Sequence, residues 1–79
     1  MTKQDYELIA DVIRANAPLS SRGRLTCSFA AKLKDDNPRF NPILFAMRAC
    51  NMDDRLATRM IVIHDIPVSN TDLLQVNRS

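Results

Sequence analysis

A single glycine, Gly23, in 79 residues leaves no room for a glycine-rich phosphate cradle or a dinucleotide fingerprint, both of which need several. Nucleotide chemistry of those kinds is excluded. The chain has no tryptophan and one histidine, His64. Asp65 beside it points elsewhere on any regular element, so no Cys-His or Ser-His-Asp arrangement is encoded locally. Its two cysteines, Cys27 and Cys50, have neither a Cys-x-x-Cys pairing nor a histidine cluster; two reduced thiols packed in a core are expected, not zinc or a disulfide framework. The acidic pairs Asp35/Asp36 and Asp53/Asp54 lack the glycine and closing glutamate of a calcium loop and read as solvated helix ends. No apolar run approaches the roughly 18 residues of a membrane span. Met1-Thr2-Lys3-Gln4-Asp5 leads into an acidic segment without a signal-peptide core, so cytoplasmic residence is expected. No catalytic residue, metal or cofactor is assigned.

What remains is a chain 46% apolar and 25% charged, ordinary for a globular protein and too hydrophobic for a disordered one. Residues 1–79 form one small domain, whose core hides roughly 60 to 65% of the surface exposed when unfolded. The net charge of +2 is uneven. Residues 18–50 carry Arg22, Arg24, Lys32, Lys34, Arg39 and Arg48 against Asp35 and Asp36, a net +4, and both flanking segments are net −1. An anionic partner would dock in the middle.

Hard stops divide the sequence into short helices. In Asn37-Pro38-Arg39-Phe40-Asn41-Pro42, two Asn-Pro steps end one helix and start the next, with Asn41 as N-cap and Pro42 in the first helical position. Upstream, Thr2 and Asp5 form a capping box, and Tyr6, Ile9, Ala10, Ile13 and Ala17 share one face. Leu8 and Val12 widen the apolar arc of this first helix to roughly 200°, twice what a surface helix needs. Either it is central in the fold or it leaves a second apolar ridge for a partner chain. Asn16-Ala17-Pro18 ends it, and Ser20, Ser21 and Gly23 read as a connector. Leu25, Phe29 and Leu33 then predict a second helix from about Arg22 to Asp35, whose terminal aspartates face a basic neighbour or open water. The third, Pro42 to about Cys50, has Arg48 as its only charge and is either largely buried or a binding element.

The last third is ambiguous. Asp53 to about Ile63 is favoured as a fourth helix with acids in its first turn, followed by an extended tail, and Met60 to Val68 competes with it as a strand rich in β-branched residues. The fold class is therefore mostly α: a small bundle of three to four short helices, with 2–50 as a three-helix core. Residues 51–79 supply the fourth helix or strand and an extended or hairpin tail. A strand could pair with Leu73-Leu74-Gln75-Val76, or between two copies of the chain.

The basic residues invite comparison with a helix-turn-helix unit. Against it, Arg24, Lys32 and Lys34 scatter over about 160° of helix arc. The proline-rich join is long, and the third helix lacks side chains that read base edges. Non-specific phosphate contact stays open.

Tyr6-Glu7-Leu8-Ile9-Ala10, Phe29-Ala30-x-x-Leu33, Asn37-Pro38-Arg39-Phe40-Asn41 and Ala49-Cys50 together resemble a class of short bacteriophage and prophage proteins. The resemblance covers roughly residues 2–50 and stops after Cys50. That class has no assigned activity, so the resemblance implies an origin rather than a mechanism. A phage origin implies a small non-catalytic protein that binds a host or phage protein complex stoichiometrically, as anti-CRISPR inhibitors of host defence do. Arg22, Arg24, Lys32, Lys34 and Arg39 are the expected partner-binding residues, with spare apolar area on the first helix or the tail as anchor. The alternatives are a basic nucleic-acid-binding regulator and a virion assembly accessory that self-associates through its C-terminal segment.

Overall fold

A computed structural model describes residues 2–77. They form five helices: α1 (Lys3–Asn16), α2 (Leu19–Asp36), α3 (Pro42–Cys50), α4 (Asp54–Ile63) and α5 (Asn70–Asn77). The helical class holds, with one helix more than expected and, among the described residues, a helix where an extended or hairpin tail is expected.

α1 opens on the anticipated capping box: Thr2 Oγ1 accepts from Asp5 N at 3.3 Å, and Thr2 N donates to Asp5 Oδ2 at 2.9 Å. α2 starts earlier than expected. Pro18, extended at ψ 151°, serves as its N-cap without a side-chain bond, so Ser20, Ser21 and Gly23 lie inside the helix. An ideal Cβ on Gly23 would lie 3.5 Å from Met60 Sδ, an ordinary contact that marks where α2 passes α4.

α3 is the hub and packs against all four other helices. Asn41 makes its start as expected, its Oδ1 accepting from Ile43 N at 3.0 Å and Leu44 N at 3.3 Å. Ile43, Ala46 and Ala49 are fully buried and meet Ala10, Ala30 and Ala57 of the surrounding helices in one core cluster. Small side chains let these short helices approach closely, and most of α3 is buried, as the first of its two readings expects. Between α2 and α3 the aromatic rings stack inward: Tyr6 to Phe40 at 4.7 Å and Phe40 to Phe45 at 5.4 Å between centroids. Tyr6 Oη accepts from Asn37 Nδ2 at 2.9 Å, which pins α1 to the corner.

Left-handed backbone falls to Asn51 (φ 52°) and Asp65 (φ 58°), while Gly23 has negative φ. Asn and Asp are the non-glycine residues that tolerate this region. Asn51 stops α3, and Met52 N donates back to Met47 O at 3.2 Å, a Schellman-like closure. Asp53 then caps α4 by accepting from Leu56 N at 2.9 Å. Met60 to Ile63 are helical and the chain turns at His64 and Asp65, so the strand reading of this segment is overturned. Full burial of Ala57 and Ile61 outweighs the β-branched residues' preference for strand.

The tail forms α5 because Ser69 and Asp72 make a second capping box: Asp72 N donates to Ser69 Oγ and Ser69 N to Asp72 Oδ2, both at 3.1 Å. α5 rests on α3, with Val76 turned inward. Asn41 Nδ2 donates to Asp72 O and to Gln75 Oε1, each at 3.0 Å.

Candidate functional site: an apolar groove beside α1

The wide apolar arc of α1 is not absorbed by the core. Its inner face contributes Ala10 and Ile13. Leu8 and Val12, turned away, are 63% and 54% exposed. On α2, Leu25 and Phe29 stand one turn apart, each 39% exposed. Together with Ile9 and the buried Ile13 these four side chains line a groove of ≈ 440 Å³. Leu8 and Val12 thus leave a second apolar ridge of α1 uncovered, while α3 is the helix that touches all the others.

Carbon dominates the groove. Asn16 is its one polar lining residue, and its Nδ2 already donates to Val12 O at 2.9 Å. With no convergent polar or titratable groups, the groove has the means to bury apolar surface and none to move a proton.

The five basic residues do not assemble into one patch. Arg22, half-buried, donates through Nε and Nη2 to Ala17 O at 3.3 and 3.0 Å, closing the α1–α2 turn. Lys32 is exposed and follows Phe29 on the same side of α2, next to the groove. Arg24 is exposed about 80° further round the helix. Arg39 is exposed at the corner and borders a separate cleft on the other side of α1. Lys34 must be withdrawn from the contact group. Only 8% exposed, its Nζ donates to Pro38 O at 2.7 Å, Phe40 O at 2.9 Å and Asp72 Oδ2 at 2.9 Å. All three ammonium hydrogens are spent inside the molecule.

Arg48, α3's one charge, bridges to α1: Nε and Nη2 donate to Asp11 at 2.8 and 3.0 Å, and Nη1 donates to Glu7 at 3.0 Å. The hydrogen bond from Arg48 holds the Asp11 carboxyl below its usual range. That cluster is exposed and salt-screened, and it orients α1 more than it stabilises.

The two thiols are neighbours and both are free. Cys27 is buried, which pushes its thiol up, with nearby Cys50 adding to the effect, and Cys50 Sγ donates to Thr26 Oγ1 at 3.3 Å. His64 sits exposed at the end of α4 with Nδ1 2.9 Å from Met60 O. Among the described residues no group of His, Cys, Asp or Glu is placed to hold a metal ion, and no helix is long and apolar enough to cross a membrane.

No protein-family model matches the chain, and neither curated proteins nor solved structures give a match. The groove itself is half legible in the sequence: the excess apolar arc of α1 signals it, whereas the spacing of Leu25, Phe29 and Leu33 predicts a helix without saying which side of α2 is covered.

Proposed function

We propose that this chain is a small non-catalytic accessory protein of phage or mobile-element origin that binds a protein complex stoichiometrically, in the manner of an anti-CRISPR inhibitor of host defence. The observation that carries this reading is the apolar groove formed by Leu8 and Val12 of α1 with Leu25 and Phe29 of α2. A small domain that leaves such carbon in water has a use for it at an interface, where a few desolvated apolar anchors supply most of the binding energy. Lys32 beside the groove and Arg24 on the neighbouring face of α2 add steering toward an acidic surface rather than a phosphate track. Withdrawing Lys34 and Arg22 to internal bonds weakens the nucleic-acid alternative, which needs several free cations in line.

The test is affinity capture from a bacterial lysate with and without nuclease. A protein retained in fixed proportion after nuclease treatment is the expected result. A partner that vanishes with nuclease, or a chain that by itself shifts random duplex DNA at low salt, contradicts it.

A further inference from the structure

The other flank of α1 carries a second and larger cleft, ≈ 900 Å³, between α1, the α2–α3 corner and α3. Tyr6, Phe40 and Phe45, whose rings meet at tilted and edge-on angles, line it on one side, and Leu44, Met47 and Met52, all half-buried, line it as well. Thioethers on unbranched stems adapt to the shape of whatever lies on them. Charge divides sharply around this apolar surface. Its one acid, Glu7, is committed to Arg48 at 3.0 Å. Lys3 and Arg39, both exposed, form no ion pair among the described residues. The free electrostatics of the rim are cationic. Tyr6 Oη accepts from Asn37 and retains its own proton to donate.

We infer that this cleft is a binding site for an acidic peptide segment carrying an apolar anchor residue. The anchor lies on Leu44, Met47 and Met52 while flanking carboxylates meet Lys3 and Arg39. Charge complementarity selects the acid, and the methionine wall selects the apolar side chain. Nucleic acid fits less well. Two free cations are few for a phosphate backbone, and of the three rings Phe40 and Phe45 are buried, which leaves few open faces for a base to stack on. The site is independent of the α1–α2 groove, since Lys3, Tyr6 and Glu7 lie round the helix from Leu8 and Val12.

Methyl and amide NMR of the full chain, titrated with three synthetic peptides of equal length, tests it. One alternates Asp/Glu with Leu, one replaces Leu by Ser, and one replaces Asp/Glu by Lys. The first should shift the Met47 and Met52 methyls and the Tyr6 and Arg39 amides saturably, at least tenfold more tightly than the other two, and more weakly as salt is added. The Lys3→Glu, Arg39→Glu double variant alters two exposed side chains, so it should fold, and it should lose the acidic peptide by tenfold or more. No saturable shift up to millimolar peptide, equal response to all three peptides, or shifts centred on Leu8 and Val12 would overturn the site. So would displacement of the acidic peptide by a short single-stranded oligonucleotide at low micromolar concentration. Loss of the site leaves the protein-binding role of the α1–α2 groove standing, and shifts centred on Leu8 and Val12 would favour that groove over this cleft.

Discussion

Lys34 is the residue whose surroundings most change its meaning. In the sequence it is one of six cations in a basic middle segment; in the fold its ammonium group joins the corner carbonyls of Pro38 and Phe40 to Asp72 of α5. A buried pair whose hydrogen bonds are complete is costly to break from one side, because the remaining charge has no solvent to turn to. Asp72→Asn should therefore cost about 3 kcal/mol of stability, read as a lower denaturant midpoint, while the Lys34→Met, Asp72→Leu double replacement should recover only part of that loss, because it also leaves the Pro38 and Phe40 carbonyls without their donor and removes the acceptor of Ser69 N. Gly23 gives the opposite sign. It sits in a helix interior with normal φ and space for a methyl 3.5 Å from Met60 Sδ. Gly23→Ala should raise stability by about 0.5 to 1 kcal/mol, checked by the same denaturation curve. Acid should act through Asp5 and Asp11, whose folded-state values lie below the ordinary one, Asp5 chiefly through the Thr2 backbone bond and Asp11 through Arg48. A depressed carboxyl contributes stability above its unfolded-state value and loses it as pH falls through the folded one. The melting temperature should hold from neutral pH to about 4 and decline below it. In Arg48→Gln the Asp11 carboxyl carbon, followed by NMR, should titrate at higher pH than in the wild type.

At the scale of elements, the same motif appears twice and was read once. Thr2-x-x-Asp5 stands before a long periodic segment, and the helix behind it was plain. Ser69-x-x-Asp72 is the same device, but only a few residues follow it, and a short helix has too little periodicity to separate it from a turn. What holds so short a capped segment in place is tertiary: Asn41 Nδ2 clamps Asp72 and Gln75, and Val76 is buried. No pattern within residues 69–77 carries those contacts. Likewise the start of α2 was displaced by Ser20, Ser21 and Gly23, whose local preference for turns is outweighed by burial along the helix, and the strand signal in Ile61-Val62-Ile63 gave way to full burial of Ile61 and the Asp53 cap. The Asn41-Pro42 start and the α1 box were legible because each is settled within four residues. Ser69→Ala should cost about 1 kcal/mol and, in hydrogen exchange, speed the amides of α5 far more than those of α3. Uniform acceleration across all helices would contradict a locally capped α5.

For the whole molecule, the arrangement follows from which helix takes the centre. α3 has the most apolar surface per turn and occupies the hub, touching every other helix. That choice leaves α1 with more apolar arc than one hub can cover, and Leu8 and Val12 face outward beside Leu25 and Phe29. The protein-binding role proposed here stands on that surplus. The most direct measurement compares wild type with Leu8→Gln, Val12→Gln in quantitative capture of a nuclease-resistant partner, with thermal unfolding followed in parallel. Both side chains are more than half exposed, so the melting temperature should stay within about 2 °C, while partner affinity should fall by tenfold or more. Capture by the double variant at wild-type affinity, with the fold intact, would contradict the groove as the contact surface.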